Sequence, residues 1–253
     1  MRGRAAASIA VLIGLIMLTA CTATPSPPSS DPRPVTAAES ELLAASRFRN
    51  FDAGTRTVSF QVDEDGTPLR FDGWFDYATG TGYGALTADG RPNTLLLWDA
   101  SVVAAHAPAP PDASTPAPLP IPDATPLGST WTSAPLSAAH SRLHNLLQVI
   151  TSLGSDRPDN PLLVRQGGAL ALGADDIDGT PVDVFAGPLS DSPLPEGQSV
   201  DPEASSTRFW LDSGGVMQRA AVRLGGSGAW QDIDFGAADG VDLGEPLGGG
   251  SNR

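Results

Sequence analysis

The chain has no lysine. All 15 of its basic residues are arginines, set against 29 acids, for a net charge of −14. Clustered positive charge, which nucleic acid and anionic membrane surfaces require, is therefore missing, and neither is expected as a partner through charge. Cysteine is almost absent too. The single Cys21 excludes an intramolecular disulfide framework, a thiolate metal cluster and a CxxC redox site. Three histidines leave little for zinc: His140 and His144 stand four apart on a helix pattern, but Ser141, Arg142 and Leu143 lie between them in place of an HExxH motif. They read, with His106, as ordinary solvated side chains. No metal and no cofactor are expected. The G-x-S-x-G elbow of a serine hydrolase is also lacking, since Gly225-Gly226-Ser227-Gly228 reads as a hairpin turn. Gly80, Gly82 and Gly84 alternate as in a strand and do not open a helix as a phosphate loop does. The acid runs Asp63-Glu64-Asp65-Gly66 and Asp175-Asp176-Ile177-Asp178-Gly179 fall short of a calcium loop and carry what a tight turn needs for its own backbone. These gaps leave no catalytic constellation, and the chain is expected not to be an enzyme.

Long apolar runs are confined to the start. Arg2 and Arg4 precede the uncharged stretch Ala5 to Ala20, which has the anatomy of a secretory signal and is short for a spanning helix. Leu18-Thr19-Ala20-Cys21 then looks like a bacterial lipobox. Residues 1–21 are expected to be a lipoprotein signal, with Cys21 acylated (palmitate-type chains) and the protein held on the outer face of the cell membrane. Acyl chains at about 0.8 kcal/mol per buried methylene need no basic patch to keep a protein there. Thr22 to Val35, with five prolines in fourteen residues, reads as a stiff solvated tether.

Residues 36–243 are expected to form one α+β domain, and residues 244–253 a Gly-rich disordered tail. Thr36 and Glu39 make a capping box for a helix to Phe51. The period then becomes two: Val58, Phe60 and Val62, and after the Gly66 turn Leu69, Phe71, Gly73, Phe75 and Tyr77, define a hairpin with one buried face. Short strands follow to Ala105. Eight prolines between Pro108 and Pro126 predict an exposed insertion, 107–136. A second helix, Ala138 to Leu153 with Ser137 as cap, carries the stripe Leu143, Leu146, Leu147, Ile150 and Leu153. Asn160 caps a short helix from Pro161 to Gln166, and from Ala169 strands return up to Phe235.

Three stretches carry a resemblance: Gly73-Trp74-Phe75-Asp76, Gly179-Thr180-Pro181-Val182-Asp183-Val184, and Phe209-Trp210-Leu211-Asp212 with Gly215 and Arg219. Their order resembles actinobacterial lipoproteins of the LolA-like superfamily, the LppX/LprG group. The resemblance implies a strongly curved antiparallel β-sheet, a half-barrel, wrapping helices on one face. It also implies a protein that binds or carries an acyl-chain lipid or lipoprotein in the cell envelope, and the chain is expected to be a monomer. The candidate lining of such a cavity is Phe60, Phe71, Phe75, Leu143, Leu147 and Ile150. The alternative is that these six fill a dry core, leaving a non-catalytic envelope scaffold or interaction lipoprotein.

Overall fold

A computed structural model describes residues 31–88, 93–106, 117–122, 127–139, 141–195, 200–225, 228–244 and 246–247. The expected signal with Cys21, most of the tether, His140, the centre of the Pro-rich insertion and the last six residues lie outside these. The elements in chain order are β1 (Arg33–Pro34), α1 (Ala37–Asp52), β2 (Thr55–Glu64), β3 (Thr67–Asp76), β4 (Thr81–Ala88), β5 (Thr94–Trp98), β6 (Val102–His106), β7 (Trp131–Pro135), α2 (Arg142–Ser152), α3 (Pro161–Gln166), β8 (Leu170–Ile177), β9 (Thr180–Ala186), β10 (Thr207–Leu211), β11 (Met217–Arg223) and β12 (Trp230–Ala237).

All twelve strands form one antiparallel sheet in the order β1-β8-β9-β10-β11-β12-β2-β3-β4-β5-β6-β7. Two meanders, β2–β7 and β8–β12, meet where β12 pairs with β2, with Ile233 opposite Phe60. The helices α2 and α3 occupy the passage between the meanders. A flat sheet of this size would be roughly 53 Å wide at about 4.8 Å per strand. Yet Leu96, Trp98 and Val103 near one edge share a buried cluster with Ala171 and Phe185 near the other, together with Leu43 of α1 and Leu146 of α2. The sheet therefore curls around the helices. The fold is α+β, as read from the alternation of helical and two-residue periods.

Local chemistry sets these elements. The Thr36 Oγ1 accepts from the Glu39 N–H, and the Glu39 carboxylate accepts from the Thr36 N–H, closing the capping box. Asp65-Gly66 and Asp178-Gly179 are two-residue hairpin loops with both residues at positive φ. Asp63 and Asp176 accept the Gly66 and Gly179 amides at 2.8 and 2.7 Å. Turn formation thus accounts for both acid runs.

Four expectations need correction. The second helix begins at Arg142 and not at Ala138, because Ser141 is its cap and Glu64, from the β2–β3 turn, accepts the Leu143 N–H at 2.8 Å. Ser137 instead donates its N–H to His144 Nδ1 at 3.4 Å, so His144 is more than a solvated side chain. The described parts of the insertion 107–136 are exposed at residues 119–120, 129–130 and 132–135 but anchored at three buried points. Residues 131–135 are the edge strand β7, and Ala117, Trp131 and Leu136 are buried. Proline lacks an N–H but its carbonyl still accepts, and two outward-facing aromatics use this: Tyr83 Oη donates to Pro118 O and Trp131 Nε1 to Pro122 O, both at 2.8 Å. With Trp74, Leu95, Leu97 and Leu243, the residues Tyr83, Ala117 and Trp131 form a second apolar cluster on the convex side of β3–β6, against which Leu247 of the expected tail also packs, while Leu136 joins the inner cluster. Hence the hairpin β2–β3 has two covered faces at its β3 end, and not one.

Candidate functional site

The concave face is where sequence and structure converge. Phe60, Phe71, Phe75, Leu143, Leu147 and Ile150 all lie in one buried cluster, none more than 9% exposed. Phe60 and Phe71 face each other across β2 and β3 and stack at 5.0 Å. Trp98 meets Phe71 edge-on at 5.4 Å and lies 5.7 Å from Phe75. Glycines make room for these rings. A Cβ on Gly82 would stand 2.2 Å from the Trp98 ring, and one on Gly84 would stand 2.4 Å from Phe71 Cζ. Gly82 and Gly84 thus form a floor for aromatic side chains, while Gly80, at φ +71°, serves the turn before β4. The six candidates are brought together as packed neighbours.

Two polar groups border this cluster without partners. Tyr77 packs on Phe75 at 4.7 Å, with Gly154 at the end of α2 against its ring. Its Oη and the Nε1 of Trp98 are buried and find no hydrogen-bond acceptor among the described residues. Burial pushes the Tyr77 phenol up in pKa, only partly opposed by the nearby Arg56 guanidinium, so it remains a neutral donor. Arg56 itself is 4% exposed and donates to neutral acceptors: Asn50 Oδ1 at 3.1 Å, Met217 O at 3.0 Å and Gly236 O at 3.0 Å. Sequence reasoning placed Tyr77 on the buried parity but gave it no role, and it missed Trp98 and Arg56. A four-residue apolar run ending in Trp98 was the available signal for the first; an arginine on the same parity as Val58 and Phe60 was the signal for the second.

The same face opens at a cleft of about 370 Å³ between α1, α3 and β10. Leu43, Leu163, Val164 and Phe209 line it, and the Arg47–Asp159 ion pair at 3.1 Å stands at its rim. Leu43 belongs to the concave cluster, and Val164 and Phe209 pack against it. Helix α3 has no buried residue, and its Leu162 and Leu163 are 48% and 40% exposed. The cover over this end of the concave face is therefore thin.

No family model matches the chain, and no curated protein matches it. Among solved structures it is similar to the Mycobacterium tuberculosis lipoprotein LppX, with 17% identity, 80% of this chain and 98% of that chain covered, and a TM-score of 0.40. It is also similar to a domain described as an outer membrane lipoprotein-sorting protein from Vibrio parahaemolyticus, with 10% identity, 82% and 95% covered, and a TM-score of 0.25.

Proposed function

We propose that this protein is a lipoprotein anchored through Cys21 to the outer face of the cell membrane, where it binds or carries the acyl chains of an envelope lipid or lipoprotein. The observation that carries this reading is the cleft between α1, α3 and β10. Leu43, Leu163, Val164 and Phe209 supply its apolar lining beside polar side chains that include Ser46, Asp159 and Thr207, and it is continuous with the concave cluster through Leu43, Val164 and Phe209. A lining that mixes apolar and polar side chains suits a ligand with both hydrocarbon and polar parts. A chain of about fourteen methylenes would gain roughly 11 kcal/mol on burial before association and ordering costs, so no dense set of polar contacts is required. Cys21 followed by a Pro-rich tether would hold the cleft near its membrane source of ligand.

The test is native mass spectrometry of the full chain extracted from its own host. A co-purifying lipid is expected, and Leu163→Glu, at a half-exposed position that tolerates charge, should abolish it without unfolding the protein. Cys21→Ala should move the protein out of the membrane fraction after signal cleavage. The tight packing of Phe60, Phe71 and Phe75 favours a second reading, a scaffold whose core is closed. A lipid-free mass for the wild type would establish that one instead.

A further inference from the structure

We propose that the short helix α3 is a second membrane contact: Leu162 and Leu163 seat at the headgroup boundary of the bilayer that holds Cys21, and so fix which end of the folded body faces the lipid. This rests on the anchoring reading above and goes beyond it by assigning a surface of the body to the membrane.

The fold leaves these two leucines uncovered. Among the described residues three large apolar side chains stand exposed, Leu119, Leu162 and Leu163, and two of the three are consecutive on α3. The helix that displays them is well fixed. Leu162 donates its N–H to Asn160 Oδ1 at 3.0 Å, and Gly167 donates its own to Leu163 O at 2.7 Å. The loop after β9 is tied to the end of the helix, with the Leu189 and Leu194 amides donating to Gly167 O and Gln166 O at 2.8 and 2.9 Å. A protein rarely displays adjacent leucines on a rigid turn unless something apolar covers them.

Charge and connectivity say what covers them. The body is acidic, and anionic headgroups repel it. Segment 155–168, however, sets Asp156 and Asp159 against Arg157 and Arg165, a sum of zero in a chain of −14. This end can approach lipid where the rest stands off. The anchor also joins the body here. β1, the first described strand, pairs with β8, the strand that follows α3. Val35 donates its N–H to Ala169 O at 3.3 Å, and Ala169 donates its own to Val164 O at 3.4 Å, so two hydrogen bonds lead from the end of the tether to the helix. From Cys21 to Asp31 the backbone spans at most roughly 36 Å, which keeps this edge of the sheet close to the bilayer. Two leucines alone bind a membrane weakly. Tethered, they meet it at high effective concentration, and a weak contact is then occupied. Leu163 also lines the cleft, so the same contact brings the cleft mouth to the lipid surface.

The test uses the full, acylated chain in phosphatidylethanolamine–phosphatidylglycerol vesicles. Cys21 is the only cysteine and acylation blocks it, so Leu162→Cys and Leu119→Cys each take a single nitroxide. A water-soluble nickel chelate, measured against oxygen, should relax the label at 162 about fivefold less than the label at 119, as for a side chain at the boundary of headgroups and acyl chains. A label at Gln166→Cys, one turn along, should be shielded likewise and should lose that shielding when Leu162→Asp is added. Leu162 does not line the cleft and α3 has no buried residue, so this variant should keep the wild-type unfolding midpoint. Equal relaxation at 162 and 119, or shielding at 166 that survives Leu162→Asp, would overturn the inference while flotation with the vesicles keeps the anchoring reading. Shielding at 162 accompanied by spin–spin broadening between chains would assign the patch to a second copy and overturn it too. A chain that does not float with the vesicles would overturn the anchoring reading and this inference with it.

Discussion

The two meanders treat the outer face of one sheet in different ways. Over β3–β6 that face is apolar and roofed by residues of the segments 117–122 and 238–244 and by Leu247, with Tyr83 and Trp131 pinning the Pro-rich segment of the roof. Over β8–β12 it is an open ladder of aromatic and charged side chains. Arg208 and Arg223 lie 4.4 and 4.3 Å from the Trp230 ring and share Glu203, while Arg219 joins Asp234 at 2.6 Å and borders Trp210. The inner face is continuous across both. Only that shared inner face is fixed by helices, so it should carry most of the stability; the roof should add a smaller share, and the ladder little, because exposed ion pairs are weak.

The sharpest way to break this ranking is to cut one side chain from each layer. Phe71→Ala removes a fully buried ring that touches Phe60 and Trp98 and should cost about 4 kcal/mol in urea unfolding. Leu243→Ala, in the roof, should cost about 2 kcal/mol, because a chain-terminal segment can settle into the space it leaves. Equal losses would mean that the roof is a core of the same rank.

Arg56 tests what joins the meanders. Its guanidinium connects α1, the start of β11 and the end of β12 through Asn50, Met217 and Gly236. Arg56→Met keeps much of the apolar stem but strands three acceptors, the Asn50 Oδ1 and Met217 O in buried surroundings and the Gly236 O half-buried. A loss of about 3 kcal/mol is expected, against under ~1 kcal/mol for Arg219→Met in the ladder. A small effect at Arg56 would show that the seam between β12 and β2 holds without it.

How much of this was legible depended on whether a residue's role is local. The capping box at Thr36 and Glu39, the Asn160 cap of α3 and the Asp-Gly turns are decided within a few residues, and the structure reproduces them. Period-two alternation placed Phe60, Phe71 and Phe75 on the inner face of β2 and β3, helical spacing placed Leu143, Leu147 and Ile150 on one side of α2, and the two sets lie in one buried cluster. The roof was not legible. Its pattern is the absence of one, a run of prolines whose carbonyls become useful only when Tyr83 and Trp131, distant in sequence, present donors to them. The start of α2 was misplaced for a similar reason: Glu64, which helps cap it, lies 79 positions from Leu143. The cleft depends on α1, α3 and β10 meeting, and no spacing in the sequence encodes that meeting.

A finer cut at the roof is Tyr83→Phe. The ring stays, but the Pro118 carbonyl loses its donor, and the phenol, which burial pushes up in pKa, contributes as a neutral hydrogen bond. A loss of about 1 kcal/mol is expected, together with faster proteolysis near residue 118. The same replacement at Tyr77, on the inner face, should cost nothing, so the pair measures the difference between a satisfied and an unsatisfied phenol in one protein.

Acid should separate inner layer from roof by the smallest of these effects. The Arg33 guanidinium, bonded to both Glu39 oxygens, together with the Thr36 amide, draws the Glu39 carboxyl down to about 2 from the usual 4.5. A carboxyl lowered on folding contributes stability that is present above its unfolded value and is lost as pH falls from about 4.5 toward 2. Arg33 is half exposed, so solvent screening should hold the loss under ~1 kcal/mol. The roof has no such group in its anchoring bonds, because Tyr83 and Trp131 donate as neutral groups throughout this range. Urea midpoints at pH 6 and pH 3 should therefore show Glu39→Gln less stable than wild type at pH 6 and closer to it at pH 3. The penalty of Tyr83→Phe should be the same at both. A Tyr83→Phe penalty that shrinks with acid as the Glu39→Gln penalty does would mean that the roof is held through titrating carboxylates after all, and that the two layers respond to pH as one.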